Sequence, residues 1–168
     1  MTLVMGLDPG SRITGYGLIE EIPQGTRLVA CGCIRTETDQ FHQRLKRIFD
    51  EVYRLSREYR PDEVAIEQVF MSKNPDSALK LGHARGAAMC GVLTAGLEIH
   101  EYAAREVKLA LVGKGNADKL QVQHMVRFLL KNPERMPVDA SDALGVAFCH
   151  IHHRQTRDRL LRAGVKLS

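Results

Sequence analysis

The sequence has no apolar run long enough to cross a membrane, which takes about 18 consecutive apolar residues. Its best candidate, residues 87–97, is shorter and contains Gly91, Thr94 and Gly96. The chain also reaches the charged Asp8 before the apolar core of a signal peptide could form. We therefore expect a cytoplasmic protein that makes no contact with a membrane.

Cysteine is also scarce. Four cysteines are too few to form a disulfide scaffold in a chain of 168 residues, so we expect free thiols in a reducing compartment. Cys31 and Cys33 are separated by one residue, which is not a usual spacing for zinc ligands. Cys149 lies among histidines at the end of a predicted helix. A zinc site is therefore the less favoured alternative.

The sequence lacks internal repeats, low-complexity tracts and linkers before residue 152. A length of 168 residues suits one compact domain, and a hydrophobic content of 44% is enough for a buried core. We predict one domain over residues 1–152, followed by a basic tail, residues 153–168, that we expect to be mobile. The net charge of +4 is a modest excess for a protein that binds nucleic acid.

The order of the predicted elements indicates an α/β fold. Three strands come first as an antiparallel meander, and strands then alternate with helices, which is typical of a layered fold around a mixed sheet. We predict a five-stranded mixed sheet with helices on both faces. The strands are predicted at residues 2–8, 13–21, 27–35, 63–68 and 97–102. The helices are predicted at residues 41–59, 75–95, 104–111, 117–131 and 139–152.

Two acidic residues stand at the ends of predicted strands. Asp8 closes an apolar strand, where a buried charge is costly without a partner, although Asp-Pro-Gly is also an ordinary turn sequence. Glu67 extends the apolar run Val-Ala-Ile, and glutamate is depleted in strands. The alternative for Glu67 is a strand-end side chain that points into solvent or pairs with an arginine.

Two more acids begin the last predicted helix. Asp139 and Asp142 are three residues apart, so they lie on one helical face, where like charges repel unless a cation sits between them. Acidic residues in a first helical turn also stabilise the helix by themselves, which is the alternative interpretation. Taken with the strand-end acids, the pair predicts an oxygen-rich cluster of the kind that Mg²⁺ prefers. Two such ions about 3.5–4 Å apart can drive phosphodiester hydrolysis, so we predict a metal-dependent nuclease.

Several separate blocks of the sequence resemble the RuvC family of bacterial crossover junction endodeoxyribonucleases. They are GLDPGSRITGYG from Gly6, AIEQVF from Ala65, SALKLG from Ser77 followed by ARG from Ala84, and DASDAL from Asp139. The blocks occur in the family's order and spacing between residue 2 and about residue 152. Because several independent blocks agree, the resemblance is specific.

The resemblance implies a ribonuclease H-like fold and a homodimer that resolves four-way (Holliday) DNA junctions in recombination and repair. It also implies Mg²⁺-dependent hydrolysis by two ions per active site, with Mn²⁺ as a substitute, to give 5′-phosphate and 3′-hydroxyl ends. The implied partners, besides junction DNA, are the branch-migration proteins RuvA and RuvB. The family's catalytic and metal-binding acids correspond here to Asp8, Glu67, Asp139 and Asp142.

Four further residues are candidates for DNA binding. Phe70 follows the strand that ends at Glu67 and could stack on an unpaired base, although phenylalanine is more often a core residue. Lys108, Lys114 and Lys119 lie around a glycine-rich loop before a helix, where phosphate binds readily. Ordinary solvated lysines are the alternative, and the resemblance favours Lys108 and Lys119 for phosphate contact.

Small residues in the predicted helix 75–95 make it the candidate for the dimer contact. Gly82, Gly86 and Gly91 would let a second helix approach closely, but they could equally pack on the protein's own sheet. Three other functions remain open from sequence alone. They are a ribonuclease that trims structured RNA, an actin-like ATPase that holds phosphate near Gly15 and Gly17, and a non-catalytic junction-binding module. The ATPase architecture needs two such domains and a longer chain, and the four acids argue against the non-catalytic module.

Overall fold

Five strands form one mixed sheet in the computed structural model, which describes residues 1–37, 40–69, 74–131 and 136–164. The strands, in chain order, are β1 (Thr2–Asp8), β2 (Ile13–Ile22), β3 (Gly25–Arg35), β4 (Glu63–Glu67) and β5 (Ile99–Tyr102). They lie side by side in the order β3-β2-β1-β4-β5. The first three strands pair antiparallel as the predicted meander, and β4 and β5 add in parallel to β1. The predicted five-stranded mixed sheet is confirmed.

Helices cover both faces of the sheet. They are α1 (Phe41–Tyr59), α2 (Pro75–Thr94), α3 (Ala104–Val112), α4 (Lys119–Leu129) and α5 (Val138–Arg162). Alternate residues of β1 divide between two cores because successive side chains of a strand point to opposite faces. Met5 and Leu7 pack with α1 and α2, whereas Val4 packs with α3, α4 and α5. Among the described residues, no helix is both long and apolar enough to span a membrane.

Three strand glycines let α5 lie directly on β1 and β2. A Cβ atom at Gly15 would come within 1.9 Å of the Asp139 carbonyl oxygen, and one at Gly6 within 2.0 Å of the Ala143 carbonyl oxygen. At Gly17 it would meet the Leu144 side chain at 2.5 Å. Larger residues would push the helix away from the sheet. The glycines therefore fix how closely the first turns of α5 approach the end of β1.

The predicted end of the last helix at His152 is wrong. The helix continues to Arg162, so residues 153–162 extend α5 and do not form a separate tail. Arg154, only 12% exposed, forms ion pairs with Glu21 and Glu63, and Gln155 donates a hydrogen bond to Glu21 at 2.6 Å. The anchoring contacts of this segment are polar, and a search for apolar periodicity does not detect them.

Smaller differences occur at other boundaries. The hairpin between β2 and β3 is tighter than predicted, because the strands extend to Ile22 and from Gly25. Helix α4 begins later than predicted because Asp118 caps it, with its carboxylate accepting a hydrogen bond from the Gln121 backbone N–H at 2.9 Å. Helix α2 begins at Pro75, as predicted, and the Asn74 side chain is its N-cap.

Candidate active site

Asp8 and Glu67 end two neighbouring parallel strands on the same side of the sheet. The register of β1 against β4 pairs Leu7 with Ile66, so the acids that follow lie at the same edge. Val4 and Ala65 belong to the core under α5, and strand alternation places Asp8 and Glu67 on that face too. The two carboxyl groups share a hydrogen bond. The structure therefore brings together the two strand-end acids.

Burial and mutual repulsion disturb the ionisation of this pair. Burial, followed by the nearby charge of Glu67, raises the pKa of Asp8 to about 8. Burial likewise raises the pKa of Glu67, although its hydrogen bond with Asp8 acts in the opposite direction. A shared proton thus lowers the charge of the pair near neutral pH. A pKa raised by burial together with a neighbouring carboxylate in a cavity marks this pair as a candidate functional site.

Asp142 approaches the pair from the first turns of α5. Its side chain is 15% exposed and forms an ion pair with Lys119 on α4, with 2.9 Å between Lys119 Nζ and Asp142 Oδ2. The charge of Asp142 contributes to the raised pKa values of Asp8 and Glu67. Pro137, and not Asp142, is the N-cap of α5. The capping alternative therefore does not describe Asp142.

Asp139 lies in the first turn of α5, where a negative charge stabilises the helix N-terminus. Its backbone rests on Gly15, and its charge contributes to the raised pKa values of Cys33 and Lys119. It therefore belongs to the same electrostatic neighbourhood as the other three acids. The helix-stabilising role and a metal-binding role are compatible at this position.

Asp8, Glu67 and Asp142, but not Asp139, line a cavity of about 240 Å³. It is lined by Asp8, Glu67, Asp142, Lys108, Lys119, Ala104, Val107, Val122 and Val146. The apolar walls come from α3, α4 and α5, and they reduce the local dielectric around the charges. Larger grooves exist elsewhere on the described part of the chain, but none of them is lined by Asp8, Glu67 or Asp142.

The predicted DNA-binding residues divide into three groups. Lys108 and Lys119 line the acid cavity. Lys114 is exposed in the turn after α3 and lies outside the cavity lining. Phe70 lies outside the described residues. DNA contact by any of the four stays a prediction.

The donor set suits a hard divalent cation, since carboxylate oxygens are the ligands that Mg²⁺ prefers. In this structure Asp8 is hydrogen-bonded to Glu67, and Asp142 is paired with Lys119. Among the described residues, no three histidine, cysteine or acidic side chains converge closely enough to hold an ion as they stand. A divalent cation would supply the positive charge that the shared proton and Lys119 supply here. Asp8, Glu67, Asp139 and Asp142 are the residues that could hold it.

Sequence reasoning missed two parts of this site. The Lys119–Asp142 ion pair depends on how α4 meets α5, and no local motif signals that contact. The actin-like alternative places phosphate near Gly15 and Gly17, but the structure shows close packing of α5 on both glycines. The signal was present, because glycines two residues apart in a strand share one face and mark a close approach.

The mixed sheet and the cavity with strand-end acids define a nuclease of the ribonuclease H-like fold. The family model described as "Crossover junction endodeoxyribonuclease RuvC" matches residues 4–150. The chain therefore belongs to the RuvC family of crossover junction endodeoxyribonucleases.

Individual relatives agree with this assignment. Crossover junction endodeoxyribonuclease RuvC of Methylococcus capsulatus is 64% identical over 162 residues, which cover 96% of this chain and 98% of that protein. The structure of T. thermophilus RuvC in complex with Holliday junction substrate matches with a TM-score of 0.86 and 31% identity, covering 94% of this chain and 97% of that one. The yeast mitochondrial Holliday junction resolvase Ydc2 shares the fold, with a TM-score of 0.67 and 10% identity over 94% of this chain and 82% of that one.

Proposed function

We propose that this protein resolves four-way DNA junctions by hydrolysing one phosphodiester in each of two strands, with Asp8, Glu67, Asp139 and Asp142 holding two Mg²⁺ ions. The observation that carries the proposal is the convergence of Asp8, Glu67 and Asp142 in one cavity together with Lys108 and Lys119. Family membership favours a four-way junction over a structured RNA as the substrate.

The roles of the side chains follow from their placement. Asp8 is central, because Glu67 shares a hydrogen bond with it and the charges of Asp142 and Lys119 act on it. Bound Mg²⁺ would lower the pKa of a water nucleophile and stabilise the leaving 3′ oxygen, and Mn²⁺ could replace it. Lys119 offsets the negative charge of Asp142 and, being largely exposed, can also approach a DNA phosphate. The products are a 5′-phosphate and a 3′-hydroxyl.

Lys108 and Lys119 give the cavity the positive charge that a DNA backbone requires. We propose that both contact phosphates near the cleaved bond and that Lys114 contacts a phosphate further along the strand. Phe70 is proposed to stack on an unpaired base at the junction, by family resemblance.

A homodimer would place two acid clusters in the two-fold relation that symmetric nicks require. We propose that α2 forms its contact. Gly82 and Gly86 have open space where a Cβ would be, and Leu79 and Leu93 on the same helix are 64% and 55% exposed. Gly91, in contrast, packs against α1 in its own chain, where a Cβ would lie 2.9 Å from the Phe49 carbonyl oxygen.

Gly86→Leu tests the dimer contact. Sedimentation velocity should show a shift towards monomer, and a cruciform plasmid should yield open circle in place of linear product. A Gly86→Leu protein that stays dimeric and still gives linear product would place the contact elsewhere. RuvA and RuvB, the branch-migration proteins implied by the family, remain proposed partners, and the cytoplasm remains the proposed location.

Cleavage of three substrates tests the activity itself. A synthetic four-way junction, a linear duplex of the same sequence and a structured RNA are incubated with Mg²⁺, with Mn²⁺ or with EDTA. We expect symmetric nicks in the junction with either metal and no cleavage with EDTA. Asp8→Asn and Glu67→Gln should abolish cleavage while junction binding persists, since binding depends mainly on phosphate contacts. Cleavage of RNA in preference to the junction, or a fully active Asp8→Asn protein, would overturn the proposal.

A further inference from the structure

The side chain of Arg85 on α2 contacts the end of β4, the strand that carries Glu67. Its neighbours Ala84 and Ala88 are fully buried against the sheet, and its own side chain is only 18% exposed. The Nε–H of Arg85 donates a hydrogen bond to the backbone carbonyl oxygen of Glu67, with 3.1 Å between the heavy atoms. The same guanidinium forms an ion pair with Glu101 on β5. One side chain thus joins a helix on the far face of the sheet to two neighbouring strands.

The contact falls where β4 ends and the chain leaves the sheet. Glu67 is the last residue of β4 and lies opposite Tyr102 in the parallel pairing with β5. The next backbone N–H, that of Gln68, donates to the Tyr102 carbonyl oxygen at 2.8 Å. Arg85 and this hydrogen bond together hold both polar groups of the Glu67–Gln68 peptide unit, which directly follows the Glu67 Cα atom.

The guanidinium is itself held in orientation. Arginine presents its donors in a rigid planar fork, so binding the Glu101 carboxylate through one nitrogen fixes where Nε–H points. The contact with Glu67 is to its carbonyl oxygen and not to its carboxylate. Arg85 can therefore fix the backbone of Glu67 and leave its side-chain oxygens available to a cation.

We infer that Arg85 is a positioning residue for the metal site: it holds the end of β4 so that the Glu67 carboxylate stays beside Asp8. The need for such a restraint comes from the site itself, because Asp8, Glu67 and Asp142 are like-charged groups crowded into one cavity. Repulsion would otherwise displace the acid at the end of a short strand. This inference rests on the proposed function, in which Glu67 is a metal ligand.

The test is binding of Mn²⁺ to the DNA-free protein, measured by calorimetry, together with the Mg²⁺ concentration that gives half-maximal junction cleavage. Residues that orient metal ligands change metal affinity about 10–100-fold when replaced. Arg85→Gln should weaken Mn²⁺ binding by that range and raise the Mg²⁺ requirement, while junction affinity in Ca²⁺ or EDTA stays unchanged. Excess Mn²⁺ should restore much of the turnover. Arg85→Lys should be intermediate, because it keeps a cation near Glu101 but loses the planar fork.

Two further variants act as matched comparisons. Glu101→Gln removes the group that orients Arg85 and should weaken Mn²⁺ binding in the same direction but less. Arg47 makes a similar contact away from the acids, since its Nε–H donates to the Arg35 carbonyl oxygen at 3.0 Å. Arg47→Gln should leave Mn²⁺ binding unchanged.

The outcomes separate this inference from the proposed function. If Glu67→Gln loses Mn²⁺ binding but Arg85→Gln and Arg85→Lys retain it, the positioning role is wrong and the metal site stands. If Glu67→Gln binds Mn²⁺ like the unmodified protein, the assignment of Glu67 as a ligand is wrong. Should Arg85→Gln fail to fold, Arg85→Lys and Glu101→Gln decide, and wild-type metal affinity in both would overturn the inference.

Discussion

Carboxylates of the sheet contact α5 in two places. In one place they are matched by cations and hydrogen-bond donors, and in the other, which we call the unbalanced end, they are not. At the second half of α5, which we call the balanced end, Glu63 accepts hydrogen bonds from His150 Nε2 at 2.9 Å and from Arg154 at 2.6 Å, and Glu21 accepts from Arg154 and Gln155. Because the Nε2–H of His150 donates to Glu63, its Nδ1 accepts a hydrogen bond from the Tyr102 hydroxyl at 2.8 Å. Each acid there has a cation or a hydrogen-bond donor.

The N-terminal end of α5 is not balanced in this way. Asp8 and Glu67 face each other, and the ion pair that Asp142 forms comes from the mostly exposed Lys119. The comparison shows two uses of buried charge on one helix. A matched network holds the fold together, whereas an excess of carboxylates in an open cavity is suited to binding cations and a phosphate backbone.

The largest expected effect is on catalysis at the unbalanced end. Asp142→Asn should reduce the junction cleavage rate by about a thousandfold, equivalent to about 4 kcal/mol of transition-state stabilisation. The reason is that it replaces a negatively charged metal ligand by a neutral amide. Thermal melting should stay near that of the unmodified protein. Single-turnover cleavage with saturating enzyme measures the rate. A rate within a few fold of the unmodified protein would return Asp142 to a structural role.

A change at the balanced end should act on stability instead. Glu63→Gln leaves His150 without its carboxylate partner and Arg154 with Glu21 alone, and removing one partner of a buried pair costs several kcal/mol. Glu63 is partly exposed, so we expect a loss of about 2 kcal/mol in the free energy of unfolding, measured with urea, with unchanged turnover per folded molecule. Glu20→Gln, which breaks a surface pair with Arg27, is the control and should cost under about 1 kcal/mol. Equal losses in the two variants would contradict the comparison.

The pH dependence of stability should differ between the unmodified protein and Asp8→Asn. Folding raises the pKa of Asp8 from 3.8 to about 8, so the folded state binds the extra proton. The metal-free protein should therefore lose stability relative to Asp8→Asn as pH rises from about 4 to about 8. Near pH 7, about three pH units above the unfolded pKa, we expect Asp8→Asn to be more stable in EDTA by about 4 kcal/mol. Urea titrations at intervals across this range measure it, and a pH-independent difference would contradict the burial of Asp8.

The smallest effect concerns the lysines of the cavity. Lys108→Ala should reduce the slope of log affinity against log salt by about one unit, as expected for one lost phosphate contact. Lys46→Ala is the control, because Lys46 pairs with Asp50 on the exposed side of α1. An unchanged slope in Lys108→Ala would make Lys108 an ordinary surface lysine.

Much of the site could be predicted because its acids are attached to strong local patterns. Asp8 and Glu67 each end an apolar strand, and parallel pairing of such strands brings their last residues together. The spacing of Asp139 and Asp142 likewise places both on one helical face. The strand meander and the α/β alternation followed from apolar periodicity, which reports directly on burial.

Other features depend on contacts between distant segments, and apolar periodicity does not report them. The final turns of α5 are held by Arg154 and Gln155 through charges and amides, so the predicted helix ended too early. The approach of Lys119 to Asp142 requires the packing of α4 on α5. The hydrogen bond from Arg85 to the Glu67 carbonyl joins α2, on the opposite face of the sheet, to the end of β4. A contact between such distant segments is visible only in the three-dimensional structure.

The most direct test of the unbalanced end is the position of Mn²⁺ in crystals of the metal-soaked protein, located by anomalous scattering. We predict manganese peaks bonded to the Asp8 carboxylate, with Glu67 and the acids of α5 completing the ligand sets, and no peak at Glu21 or Glu63. The same soak with Asp8→Asn crystals should lose these peaks. Manganese bound elsewhere, or retained unchanged in Asp8→Asn, would contradict the assignment of this cluster as the metal centre.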